Sequence, residues 1–547
     1  MADDSAFDYV IVGAGSAGCV LANRLTEDGR HRVLLLEAGG RDTNPWLHIP
    51  LGYGKVFDDP KVNWCYATEP DPTCNDRRIV QPRGKVLGGS SSINGMVYIR
   101  GNAADYDHWR QLGNPGWSYS DVLPYFRKLE DNVRGADDYH GTGGPQSVSE
   151  QRDFHPVGRA HLEAAVQAGY PLNPDFNGAT QEGFGRYQVT QRTGRRWSTA
   201  RGYLRPAQKR ANLVVETGAF ANRVLFEGRR AVGVEYRVGD QVRVARPRVE
   251  VLLALGAFNS PQLLQLSGVG PAALLRAHGI DVVADMPGVG ADMQDHYLVR
   301  MVYRCKQPVT LNDVMQSRVR QAGTMLRYLL FRRGMMAMAA VPTGGFFRSD
   351  PGRETPDLQH HIVLYSNGGA SGKHGSTLHE FSGLSATIIL LRPESRGAVE
   401  IGSADPRDPP RIRSRYLEAE ADRRALTRGV RAVQEIMRQP ALNAYVGDAV
   451  EPGPDVVSDD DVVEYLRNFG NTGFHPTSTC RMGVDPTAVV DPRLRVHGLE
   501  GLRVVDASIM PAVTSGNTNA PTIMLAEKAS DMIREDARSE PARGAAA

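Results

Sequence analysis

His475 has the surroundings that best suit chemistry. It lies in Gly473-Phe-His475-Pro-Thr-Ser-Thr-Cys480-Arg-Met-Gly483, a loop of small and polar residues, not on an apolar stripe. An imidazole ordinarily titrates near neutrality, so a histidine held in such a loop can take or give a proton. Further on, Ser515-Gly-Asn517-Thr-Asn519-Ala-Pro521-Thr522 carries Asn517 toward a helix predicted from about Ile523 to Ile533. The positive end of that helix would attract negative charge; an ordinary capped C-terminal helix gives the same pattern. The pair His360-His361 has only Asp357 nearby and no thiol, so no metal site is expected. The five cysteines, Cys19, Cys65, Cys74, Cys305 and Cys480, form no C-x-x-C and no disulfide framework. They read as idle thiols in a reducing compartment.

The first 40 residues show how a ligand could be held. Tyr9-Val-Ile-Val12 is a strand-like apolar run that enters Gly13-Ala-Gly15-Ser16-Ala17-Gly18. A helix is predicted from Ser16 to about Leu25, and a second strand, Val33–Leu36, ends at Glu37-Ala38. Strand, glycine turn, helix and strand in this order form the context that makes G-x-G-x-x-G a dinucleotide site. Gly13 permits the tight turn. Gly15 lets backbone approach a pyrophosphate, and Gly18 lets the helix pack on the sheet. The helix N-terminus would face the phosphates. Glu37 would accept from a ribose hydroxyl, which argues against a 2′-phosphate; FAD and NAD both remain.

Length and composition bound the remainder. The chain has 547 residues, 41% of them hydrophobic and 23% charged, an ordinary globular mix for two or more cores. Its net charge of +2 gives no case for nucleic acid as a partner. The acidic N-terminus lacks the features of a secretory signal, and no stretch is apolar enough to span a membrane, so a cytoplasmic protein is expected. Three further features need placing. Pro82–Gly95 holds adjacent glycines and serines suited to a polar ligand or phosphate, or to a solvent loop. Gly256–Gly270 reads as a strand end, then a helix capped by Ser260 with Pro261 in its first turn. Residues 314–334 are basic and amphipathic, reading as a surface helix over a core or as a membrane-surface or lid segment.

Together these segments resemble, in order, the signatures of the glucose–methanol–choline (GMC) oxidoreductases, from about residue 6 to residue 535. Within that family the chain looks most like the bacterial alcohol, choline and polyethylene glycol dehydrogenase branch. The resemblance implies FAD and an α/β fold in two parts. Residues 1–155, 205–305 and 455–536 would form a discontinuous Rossmann-like FAD-binding part. Residues 156–204 and 306–454 would form a substrate part with a sheet flanked by helices, and 537–547 a disordered tail. His475 matches the catalytic histidine and Asn517 its partner position. Gly13, Gly15, Ser16, Ala17, Gly18, Glu37 and Ala38 match the dinucleotide turn; Gly84, Val86 and Gly89 the glycine-rich stretch. Asn94, Gly95, Met96 and Val97 match the segment near the flavin ring, and Ala221 the backbone that meets the adenine. Asp506 and Ala507 match contacts to the ribityl–pyrophosphate part, and Thr518, Asn519 and Pro521 contacts near the pyrimidine end of the ring. Some members attach FAD through a histidine where this chain has Ile93, so non-covalent FAD is expected.

The implied reaction is oxidation of a primary alcohol to the aldehyde. An alcohol is a poor hydride donor until its hydroxyl proton is removed, a task suited to neutral His475, with Asn517 donating a hydrogen bond to the alkoxide. No cage of acids and aromatics for a quaternary ammonium is visible in the sequence, so an uncharged aliphatic or polyether alcohol is expected before choline. Electrons would pass to a quinone or respiratory carrier. Alternatives are an oxidase using O₂, a choline dehydrogenase and a hydroxynitrile lyase. The resemblance also admits a homo-oligomer and peripheral attachment to the inner face of the cell membrane.

Overall fold

The computed structural model describes residues 7–339, 341–368 and 377–539. Two sheets organise it. The first is a parallel five-stranded sheet in the order Leu213–Thr217, Val33–Glu37, Phe7–Val12, Pro247–Leu253, Leu502–Val504. Its central strands are apolar along their length because both faces are covered; every residue of Val33–Glu37 is buried. The helix Ser16–Leu25 packs on this sheet and against the last helix, Asn519–Ser539.

The second sheet is antiparallel. Its order is Val446–Glu451, Tyr297–Cys305, Gly383–Leu390, Leu358–Val363, Thr343–Phe347, Gly183–Arg186, with Asn471–Thr472 pairing beside Tyr297. Helices Glu420–Met437 and Pro156–Gln167 close a core on one of its faces. The architecture is the expected α/β arrangement of a Rossmann-like part and a sheet-based part. The expected boundary at 305 does not coincide with the sheets: Tyr297–Cys305 pairs with Gly383–Leu390 over seven residues and belongs to the second sheet.

Three local expectations are revised. The helix expected to start at Ser260 begins at Gly256, so Pro261 lies inside it. A proline there leaves the carbonyl four residues earlier without its N–H; Thr479 Oγ1 donates to that carbonyl, of Ala257, at 2.6 Å. Ser260 Oγ donates instead to Asp506 Oδ2. The last helix runs to Ser539, so 537–539 are helical, while the rest of the expected tail, 540–547, lies outside the described residues. The basic segment folds as the helix Arg318–Phe331, which buries only Tyr328 and exposes Leu326, Leu329, Leu330 and Phe331, so it covers little core. Among the described residues no helix is long and apolar enough to cross a membrane.

The two ends of the chain are joined by charge. Arg24, on the first helix, donates to Glu527 on the last through Nε at 2.9 Å and Nη2 at 2.8 Å, and Tyr203 Oη donates to the same carboxylate at 2.9 Å. Glu527 is fully buried. Removing one member of a buried pair leaves the other uncompensated, at a cost of about 3–5 kcal/mol. Glu527→Ala is therefore expected to lower the free energy of unfolding, extrapolated from urea titration, by that amount, measured against Glu527→Gln, which retains a partner for the Tyr203 hydroxyl.

Candidate active site

One cavity, of about 340 Å³, runs from the first glycine turn to the second sheet. Its first end is built from backbone. Gly13 has φ +100°, and a Cβ there would stand 2.6 Å from Ala254 O. A Cβ on Gly18 would meet Gly13 O at 1.9 Å, so helix and turn touch backbone to backbone. Gly89, at φ +51°, brings the 84–95 loop onto this turn; a Cβ on it would stand 2.7 Å from Gly15 Cα. A Cβ on Gly15 itself would have no protein atom nearer than Ala254 O at 3.8 Å and would project into open space. Gly15 caps the first helix without a side-chain bond, so its first-turn N–H groups remain available to an anion.

Glu37 closes this end. Its carboxylate accepts from Ala14 N at 2.9 Å and Gly39 N at 2.8 Å, and burial raises its pKa to about 7. Each oxygen has a second lone pair for a ribose hydroxyl. Asp506 accepts from Gly256 N at 2.9 Å and Ser508 N at 2.8 Å. An open helix N-terminus, a glycine cradle and a carboxylate with spare acceptor capacity together fit a dinucleotide cofactor.

At the other end three side chains form a directed chain. His296 Nε2 lies 3.1 Å from Leu391 O, which can only accept, so this nitrogen carries the hydrogen. Burial lowers the His296 pKa to about 4, so its Nδ1 is an acceptor at neutral pH. His475 Nδ1, 3.0 Å away, must therefore be the donor, leaving His475 Nε2 with a bare lone pair. Asn517 Nδ2 donates to that lone pair at 3.1 Å, and Asn517 Oδ1 accepts from Gln359 Nε2 at 3.5 Å. His475 N donates to Asp295 Oδ1 at 2.8 Å, which holds the loop. Burial pushes the His475 pKa well below its ordinary value, and His296, Arg83 and His361 push it the same way. The site thus presents a neutral imidazole with a fixed tautomer.

Of the residues expected from sequence, the cavity is lined by Gly13, Gly15, Ser16, Ala17, Glu37, Ala38, Gly84, Gly89, Asn94, Gly95, Met96, Val97, Ala221, His475, Asp506, Ala507, Asn517, Thr518 and Asn519. Three stand back from it. Gly18 lies under the turn, Val86 packs with Leu47, Val56, Val62 and Ile93, and Pro521 is buried in the last helix. Sequence reasoning did not find His296, Leu298, Arg300, Val363, Tyr365, Thr387 or Ile389. The pair Asp295-His296, ahead of an apolar strand, was the one available signal. Among the described residues no cluster of three or more His, Cys, Asp or Glu could hold a metal.

Fold and cavity define a Rossmann-like dinucleotide-binding protein, and its family makes that dinucleotide FAD. Two GMC oxidoreductase family models match, over residues 7–298 and 393–526. The chain belongs to the GMC oxidoreductase family, whose members act on CH–OH donors. An oxygen-dependent choline dehydrogenase of Pseudomonas savastanoi pv. phaseolicola is 48% identical over 541 residues, 98% of this chain and 94% of the relative. Pyridoxine 4-oxidase from Mesorbium loti superposes with a TM-score of 0.87 at 30% identity, covering 97% of this chain and 99% of that one. A formate oxidase variant of Aspergillus oryzae superposes with a TM-score of 0.92 at 26% identity, over 98% and 100%.

Gly89→Ala would drive a methyl group into the Gly15 backbone. It is expected to yield folded protein with a reduced flavin-to-protein absorbance ratio, while Gly29→Ala, whose Cβ would meet nothing within 4 Å, is expected to retain the wild-type ratio.

Proposed function

We propose that the protein oxidises a primary alcohol to the aldehyde, with His475 as the general base. The observation that carries this is the unprotonated Nε2 of His475, set by the hydrogen-bond chain from Leu391 O through His296 and held by the Asn517 amide. An alcohol entering here would displace the Asn517 amide from Nε2 and set its hydroxyl against both groups. Nε2 takes the hydroxyl proton, and Asn517 Nδ2 donates to the developing alkoxide without competing for that proton. His296 acts through His475 by holding its tautomer. Bound FAD supplies the two-electron acceptor that takes hydride from the carbinol carbon.

In this reading Gly13, Gly15, Ser16 and Ala17 hold the pyrophosphate, Glu37 and Ala38 a ribose, and Ala221 the adenine. Asp506 and Ala507 serve the ribityl side. Asn94 to Val97, Thr518 and Asn519 surround the ring, and Ile93 offers no nucleophile, which supports non-covalent binding. The first sheet and its segments hold the cofactor and the second sheet supplies the substrate wall. The name of the choline dehydrogenase relatives supports choline as the alcohol. The uncharged aliphatic or polyether alcohol read from the sequence is supported by one observation: among the described residues the cavity lining carries no carboxylate beyond Glu37 and Asp506. For the acceptor we take a quinone or similar carrier first; the name of the oxygen-dependent relatives supports O₂, the second reading. The exposed leucines and arginines of Arg318–Phe331 support peripheral attachment to a membrane carrying such a quinone.

Anaerobic mixing with primary alcohols is expected to bleach the oxidised flavin band. His475→Ala should retain FAD but slow bleaching by about 10²–10⁴; wild-type bleaching by that variant would remove His475 from the mechanism. The pH profile gives a second check. A base with a depressed pKa stays unprotonated until the pH falls through that value, so the acid limb of flavin reduction should lie below pH 6.5, the ordinary imidazole value.

A further inference from the structure

The substrate wall carries a polar row that alcohol oxidation alone does not explain. Across three adjacent strands Arg300 pairs with Thr387, and Thr387 pairs with His361. All three line the cavity. In the next row Leu298 pairs with Ile389 and Ile389 with Gln359, the residue whose amide reaches Asn517. Two residues along a strand is about 7 Å, so the polar row stands roughly that far from the His475–Asn517 end.

Thr387 is 3% exposed and His361 8%. Thr387 Oγ1 and His361 Nε2 are both buried without a hydrogen-bond partner. Native proteins leave few such atoms unsatisfied, and two side by side on a cavity wall mark a place where a ligand supplies the partner. Arg300 donates through Nη1 to Asn367 Oδ1 at 2.9 Å, and its guanidinium has further N–H groups. Among the described residues no carboxylate lies within ion-pair distance of it. Glu451 on the neighbouring strand feels its charge without forming such a pair.

We propose that Arg300, Thr387 and His361 form a subsite for an oxyanion, so that the preferred substrate is a primary alcohol carrying a carboxylate a few bonds from its carbinol carbon, and not a quaternary ammonium alcohol. Guanidinium and hydroxyl both donate to a carboxylate, and a neutral imidazole can present a third N–H. A quaternary ammonium at the same wall meets a like charge. The carboxylates that line the cavity among the described residues, Glu37 and Asp506, are already bound to backbone N–H groups on the first-sheet side, and Glu451, which feels the Arg300 charge, is not on the lining. Tyr53, Tyr365 and Phe474 also line the cavity and could face a cation, but they share the wall with Arg300.

This inference rests on the alcohol-oxidation reading, and its test separates the two. Flavin reduction is followed anaerobically with choline, an uncharged n-alkanol and an ω-hydroxycarboxylate of matched chain length. The hydroxy acid is expected to exceed choline in kcat/KM by roughly tenfold or more, the scale of a charge-assisted hydrogen bond. Arg300→Gln should collapse that ratio and Arg300→Lys restore part of it. Equal rates for all three, or a preference for choline, would overturn the oxyanion subsite while leaving alcohol oxidation standing. Calorimetric titration of the oxidised holoenzyme with butyrate and with tetramethylammonium gives a readout independent of turnover. Butyrate binding that Arg300→Gln weakens supports the subsite even if no alcohol bleaches the flavin, which would remove the alcohol-oxidation reading alone. Absence of butyrate binding, or tighter binding of tetramethylammonium, overturns the subsite.

Discussion

Backbone meets backbone at the first turn, and the site depends on it. The Gly18 α-carbon lies against the Gly13 carbonyl, Gly84 against Gly89, and Gly89 against Gly15. These contacts leave no room for a side chain, so two stretches distant in sequence, 13–18 and 84–89, share one small volume. The result is a rigid floor from which the first helix points its free N–H groups into the cavity. A sheet of apolar strands supports that floor from below, and the second sheet forms the wall beyond it.

The electrostatics of the two ends differ for a physical reason. At the glycine end, charge is received by N–H groups, which are fixed dipoles that need no titration. At the histidine end burial keeps the imidazoles neutral, and direction comes from hydrogen bonds instead. A neutral chain of this kind sets which nitrogen is bare without placing a net charge beside the substrate.

Local patterns were legible in the sequence, and pairings across strands were not. The strand, glycine turn, helix and strand at 7–37 follow directly from residue types in one short segment, although the contact that requires Gly13 is with Ala254, outside it. His475 and Asn517 were legible from their polar loops. The helix at 256–266 was misplaced because Ser260-Pro261 is a good start signal; the compensation for the internal proline comes from Thr479, which no local window contains. Arg300 and Thr387 lie far apart in sequence, and only the register places them together. His360 and His361 show the limit most clearly. Adjacent in sequence, with only Asp357 near, they offered no metal site, and nothing in that adjacency says that the pleat sends them to opposite faces. His360 Nε2 meets His161 Nε2 at 3.0 Å in the core, while His361 lines the cavity.

The first sheet finishes with its fifth strand at Leu502–Val504, and the helix that begins at Asn519 is tied to the first helix through Glu527 and Arg24. A chain truncated before residue 502 leaves the strand Pro247–Leu253 with an unpaired edge, takes from Arg24 its buried partner and lacks the loop bearing Asn517. Such a chain is an open-edged sheet rather than a smaller enzyme.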